Sequence, residues 1–150
     1  MLRGRVPRKA RWDYGRPMTQ FRVTEAAALL GVSDDTVRRW IDAGRLPATR
    51  DGGGRWSVRG ADLAEFAREH ATAPEVGGRS TSSARNRLPG LVTRVVRDGV
   101  MAQVEMQAGP FRLVSLMSRE AADELGLEPG VLAVASVKST NVVIETPTRR

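Results

Sequence analysis

Residues 71–82 read Ala-Thr-Ala-Pro-Glu-Val-Gly-Gly-Arg-Ser-Thr-Ser, and no core can be built from them. Pro74, Gly77, Gly78 and the Ser/Thr run offer no apolar face, and ordering them costs backbone entropy. Hydrophobic clustering must therefore happen separately on either side. Upstream, apolar residues recur at helical spacing; downstream, they alternate with period two. The expected product is an α+β chain of two domains. Its parts are a disordered basic arm at 1–19, a helical domain at 20–70, a flexible linker at 71–82, a β-rich domain at 83–146 and a short tail at 147–150.

Cysteine is absent, which removes disulfides, thiolate metal sites and cysteine catalysis together. No apolar run approaches the ~20 residues of a membrane helix, and the basic N-terminus lacks the apolar stretch of a secretory signal. The expectation is a cytoplasmic protein with no membrane partner. The net charge of +7 is unevenly spread: residues 1–20 hold six bases against one acid, whereas residues 21–70 hold eight of each. The high charge reports an arm and a linker, not a basic fold. Such an arm can follow phosphates or enter a groove, or it is a solvated tail, with Met18 as an alternative start.

In the first domain Thr24 is placed to cap a helix through Glu25-Ala26-Ala27-Ala28-Leu29-Leu30, which Gly31 ends. Ser33 caps a second helix on which Val37, Trp40 and Ile41 form the inward stripe, leaving Arg38 and Arg39 on the other side. Two short helices joined by Gly-Val-Ser make a helix-turn-helix. Strands at 46–50 and 55–59 flank Asp51-Gly52-Gly53-Gly54, and a third helix, 62–69, turns Leu63 and Phe66 inward. Trp40 and Trp56 are assigned to packing, and His70 to a frayed, solvent-facing end. This array resembles the winged DNA-binding module of the MerR and excisionase-like families. The carriers are Thr24-Glu25-Ala26-Ala27, Gly31-Val32-Ser33, Thr36-Val37-Arg38-Arg39-Trp40, Gly44-Arg45-Leu46-Pro47 and the glycine wing. The resemblance implies double-stranded DNA as partner, with the second helix in the major groove. Its implied contacts are Ser33, Thr36, Arg38, Arg39, Arg50 and Arg55.

In the second domain, strands are expected at 91–96, 100–106, 111–116, 131–137 and 141–145, with Asp98-Gly99 as a hairpin turn and a short helix at 119–125 capped by Ser118. Five short strands with one small helix between the third and fourth fit an OB-like barrel. Ser83-Ala84-Arg85-Asn86 with Leu88-Pro89-Gly90-Leu91-Val92, then Glu124-Leu125-Gly126-Leu127-Glu128-Pro129-Gly130, then Val137-Lys138-Ser139-Thr140-Asn141-Val142 resemble the molbindin, or Mop/TOBE, family of molybdate-binding domains.

That resemblance implies molybdate, or tungstate, as ligand, bound as an oxyanion and not as a bare metal. A tetrahedral dianion is held by hydroxyls, backbone N–H groups and a cation. The implied contacts are Ser83, Ala84, Arg85, Ser118 and Lys138. It further implies a homo-oligomer in which the Ser-Ala-Arg-Asn stretch of one subunit completes a site made by the helix start and lysine of another. Ala121 departs from the pattern, since many members carry a hydroxyl there. With His70 the lone histidine and no partnered carboxylates, no catalytic constellation is present and an enzyme is not expected. The reading is a molybdate-responsive, DNA-binding transcriptional regulator. Its rival is an oxyanion storage or buffering protein with a localising or vestigial DNA-binding head.

Overall fold

Gly31, at φ 67°, receives the end of the first helix, and the chain turns there into the second. In the computed structural model, which describes residue 12 and residues 19–72, 74–76 and 81–147, the first unit is built around that corner. Helix α1 spans Val23–Leu30 and helix α2 Asp34–Asp42. The start of α1 lies two residues earlier than Thr24 as a cap would place it. The Arg22 N–H donates to Glu25 Oε2 at 2.8 Å, so Arg22 is the capping position and Thr24 lies within the first turn. Ser33 caps α2 as its sequence demands, accepting from the Thr36 N–H.

Strand β1, Gln20–Arg22, was not legible in the sequence; it pairs with β3, Trp56–Arg59, whose other side takes β2, Thr49–Arg50. The wing is therefore the outer part of a three-stranded antiparallel sheet. Helix α3, Gly60–His70, closes the unit. Val37, Ile41, Leu46, Val58, Leu63 and Phe66 form one core with Ala26 and Ala27, and Trp40 and Trp56 pack against it. Most of the basic arm and much of the linker lie outside the described residues.

The second unit is an antiparallel sheet curled into a half-barrel, with strand order β6-β5-β4-β7. Its strands are β4, Asn86–Arg97, β5, Met101–Ala108, β6, Phe111–Ser118, and β7, Leu132–Val137; helix α4 is Arg119–Glu124. Val92, Ala102, Val104, Ala122 and Leu127 form its core. β4 serves both neighbours: its first half pairs with β7 and its second with β5. The changeover needs Gly90, because a Cβ there would stand 2.3 Å from the Gln107 carbonyl oxygen.

The expected fifth strand is corrected. Ser139–Asn141 forms a 3-10 turn, and residues 142–147 pair with nothing among the described residues. Asn141 and Val142 spend their N–H groups on Lys138 and Ser139 carbonyls, so the chain turns out of the ladder. Val143 and Ile144 are left 81% and 84% exposed, and β6 and β7 each keep an unpaired edge.

Candidate functional sites

The N-terminus of α2 is a small polar network on an otherwise apolar-backed helix. Ser33 Oγ accepts from the Thr36 N–H at 3.2 Å and lies 2.9 Å from Thr36 Oγ1. Arg39 Nη2 donates to Thr36 Oγ1 at 3.3 Å, which draws that guanidinium toward the helix start. Val37 and Ile41 are buried, whereas Arg38 and Arg39 are exposed. The structure thus brings Ser33, Thr36 and Arg39 together, with Arg38 exposed on the same helix.

On the wing the two predicted arginines differ. The Arg50 guanidinium lies 4.2 Å above the Trp56 ring and donates to the Gly54 carbonyl at 2.7 Å. Trp56 is therefore a platform for Arg50 as well as a core residue. Arg55 stands at the far side of the glycine turn and enters no ion pair among the described residues.

Two contacts escaped the sequence reading. His70 is exposed yet held: it stacks on Phe66 at 3.9 Å, its Nδ1 lies 2.9 Å from the Phe66 carbonyl oxygen, and its Nε2 lies 2.9 Å from Arg45 Nη2. An arginine only donates, so Nε2 accepts and the proton sits on Nδ1. Only the i, i+4 spacing of Phe66 and His70 hinted at this. The other is Asp51, whose carboxylate organises the wing turn.

In the second unit Asn86 pairs with Val137, and Asn86 Nδ2 donates to the Val137 carbonyl at 3.1 Å. This sets the Ser83-Ala84-Arg85 stretch, immediately before Asn86, at the same end of the sheet as Lys138, immediately after Val137. Arg85 and Lys138 are exposed and form no ion pair among the described residues. The Ala84 N–H donates to Ser82 Oγ at 3.1 Å.

Ser118 lies elsewhere. It pairs with Met101, next to where β4 ends at Arg97. One chain therefore holds the helix start and the lysine at opposite ends of β4, a strand of 12 residues that rise roughly 3.3 Å each. The grouping of those two on one subunit, which the resemblance implies, is not what a single chain displays.

At its own end Ser118 Oγ accepts from the Ala121 N–H at 3.1 Å, leaving the hydroxyl proton free to donate. The open cavity beside it, about 570 Å³, is lined by Arg119 and by Glu120, Asp123 and Glu124. The cation at this end, Arg119, is engaged by the Asp98 carbonyl and by Asp123, whereas Arg85 and Lys138 stand at the other end of β4. Among the described residues no cluster of His, Asp and Glu could hold a metal ion, and no helix is long and apolar enough to cross a membrane.

The fold defines a helix-turn-helix unit joined to a small curled β unit. The helix-turn-helix domain model matches residues 21–71, and the TOBE domain model matches residues 82–144. Molybdenum-pterin-binding protein 2 of Clostridium pasteurianum is 40% identical over 63 residues, which are 41% of this chain and 93% of that protein. Molybdenum-pterin-binding protein 1 of the same organism is 36% identical over the same shares. Among solved structures, a molybdate-binding protein from Sporomusa ovata is 30% identical, with a TM-score of 0.43, 45% of this chain covered and 100% of that one. The chain belongs to the TOBE-domain family that includes these relatives, and it carries a helix-turn-helix domain as well.

Proposed function

We propose that the protein is a molybdate-responsive, DNA-binding transcriptional regulator of the cytoplasm. The observation that carries this reading is the union in one chain of two units. One presents Arg38 and Arg39 on the exposed face of a capped second helix. The other is 40% identical to a molybdenum-pterin-binding protein over nearly that protein's whole length.

The first unit binds double-stranded DNA through α2 and the wing. Ser33 and Thr36 sit at the helix N-terminus, where N–H groups and positive potential favour a phosphate. Arg38 and Arg39 reach base edges or backbone, and Arg50 and Arg55 supply the wing's charge.

The second unit binds molybdate or tungstate. Lys138 and Arg85 provide positive charge, and Ser83, Ala84 and Ser118 provide hydroxyl and backbone donors. The separation of Ser118 from Lys138 along β4 supports a homo-oligomer, since a second copy can bring the two ends together. The exposed Val142, Val143 and Ile144 that follow β7, and the unpaired outer edges of β6 and β7, support the same reading. The Ser83–Arg85 stretch directly follows the linker in sequence, so an anion there orders the linker's end and biases the DNA-binding heads.

The test is a gel-shift titration with and without saturating molybdate. Operator affinity is expected to change; unchanged affinity overturns the response. Calorimetry with molybdate and sulfate on wild type and Lys138→Ala tests the ligand: molybdate heat in wild type, little with sulfate, and a marked loss in the variant. Tight molybdate binding with only sequence-blind DNA binding would favour the storage role instead.

A further inference from the structure

Asp51 makes four hydrogen bonds inside a turn of three glycines. Its Oδ1 accepts from the Gly53 N–H and from the Arg55 N–H, each at 2.9 Å. Its own N–H donates to the Arg55 carbonyl at 2.8 Å, and its carbonyl accepts from the Gly54 N–H at 2.9 Å. Glycines pay the highest entropy on ordering, so Asp51-Gly52-Gly53-Gly54 would otherwise be the loosest stretch of the first unit. The Arg55 N–H bond leads the causes that hold the Asp51 carboxyl below its ordinary pKa; burial opposes it, and the Gly53 N–H and the Arg55 and Arg22 charges assist.

The wing's two arginines are then unequal. Arg50 is occupied, stacked on Trp56 and bonded to the Gly54 carbonyl. Arg55 is the one whose backbone is tied to Asp51 while its side chain stays out of any ion pair among the described residues. Its guanidinium runs along Gly53, where a Cβ would meet Nε at 3.6 Å.

We infer that Asp51 is the positioning residue of the wing, fixing the glycine turn so that Arg55 is presented to a DNA phosphate while Arg50 braces the hairpin. The inference rests on the DNA-binding reading above. It carries an unusual sign. An exposed carboxylate near approaching phosphates repels them, so a purely electrostatic role predicts that any loss of its charge tightens binding. A positioning role predicts that only variants keeping the acceptor do so.

Two substitutions separate the cases in the full-length protein. Asp51→Asn keeps the Oδ1 acceptor and drops the charge; Asp51→Ala drops both. Fluorescence anisotropy with a random-sequence duplex across a salt series reads affinity and the number of phosphates neutralised. Amide hydrogen exchange at Gly53 and Arg55, without DNA, reads the turn itself. The expected result is that Asp51→Asn binds at least as tightly as wild type. Asp51→Ala binds severalfold more weakly, with a salt slope reduced by ~0.9, as Arg55→Ala does on losing one phosphate contact. Faster exchange at both amides is expected in Asp51→Ala but not in Asp51→Asn. An Asp51→Ala protein that binds as tightly as wild type, while Arg38→Ala weakens binding, overturns the inference and leaves the DNA reading standing. Asp51→Asn as weak as Asp51→Ala also overturns it. Wild type that binds no duplex, with both amides protected, overturns the DNA reading and the functional half of the inference with it.

Discussion

Gly90 shows how much one residue can decide. The sequence marked it only as part of Leu88-Pro89-Gly90; its physical reason is the Gln107 carbonyl, which a Cβ would meet at 2.3 Å. Because backbone cannot swing aside as a side chain can, Gly90→Ala is expected to cost the second unit roughly 1–3 kcal/mol. Its helix-turn-helix neighbour should be unaffected, and amide exchange measured separately over 19–72 and 86–137 checks both halves of that statement. A second residue-scale expectation concerns acid. The Asp98 carboxylate accepts from the Val100 and Met101 N–H groups, each at 2.7 Å, and those bonds hold its pKa below the ordinary value. Glu105 is likewise lowered, first by the Arg112 hydrogen bond. A carboxyl lowered in the folded state adds stability above its unfolded pKa and loses it as pH falls through the folded one. The second unit should therefore lose stability as pH falls below about 4, a trend that Asp98→Asn flattens in thermal melts taken across that range.

At the scale of elements, legibility followed local chemistry. α2 was readable because Ser33, the inward Val37 and Ile41, and the outward arginines all state the same helix. Ser33→Ala is accordingly expected to cost about 1 kcal/mol of local helix stability, seen as faster exchange in the first turn of α2. β1 was not readable, since three residues next to the basic arm carry no period and form a strand only through pairing with β3. The 141–145 stretch was misread for the converse reason. Val142-Val143-Ile144 has strand character, but strand formation needs a ladder, and the 3-10 turn after Lys138 takes the segment away from its own sheet. The candidate site divided in the same manner. Residue types were legible, as in the Ser83–Arg85 stretch and Lys138, whereas the placement of Ser118 depended on register, which alternation alone does not specify. Asp51 and Trp56 escaped as functional residues because each looks like ordinary turn and core composition.

For the whole molecule, the open half-barrel and the proposed contact residues at its two ends both fit a second copy. Three apolar residues at 42% to 84% exposure just after β7 in sequence, together with the unpaired outer edges of β6 and β7, are a template for association in any isolated chain. Removing residues 142–150 is expected to shift the protein to monomer in light scattering and to abolish molybdate heat, even though Ser83, Arg85, Ser118 and Lys138 all remain. A truncated chain that stays oligomeric, or binds molybdate as wild type does, would sink this account of assembly. If the anion site exists only between copies, ligand and assembly must also be linked reciprocally. Molybdate at about 100 times its Kd then stabilises the assembled form by roughly 2.7 kcal/mol per site. Dilution at fixed molybdate should accordingly weaken ligand binding, and saturating molybdate should hold the oligomer together at concentrations where the free protein dissociates. Sedimentation velocity over a dilution series, with and without molybdate, reads both directions of the linkage. An oligomer whose dissociation is indifferent to the anion would confine the site to one chain.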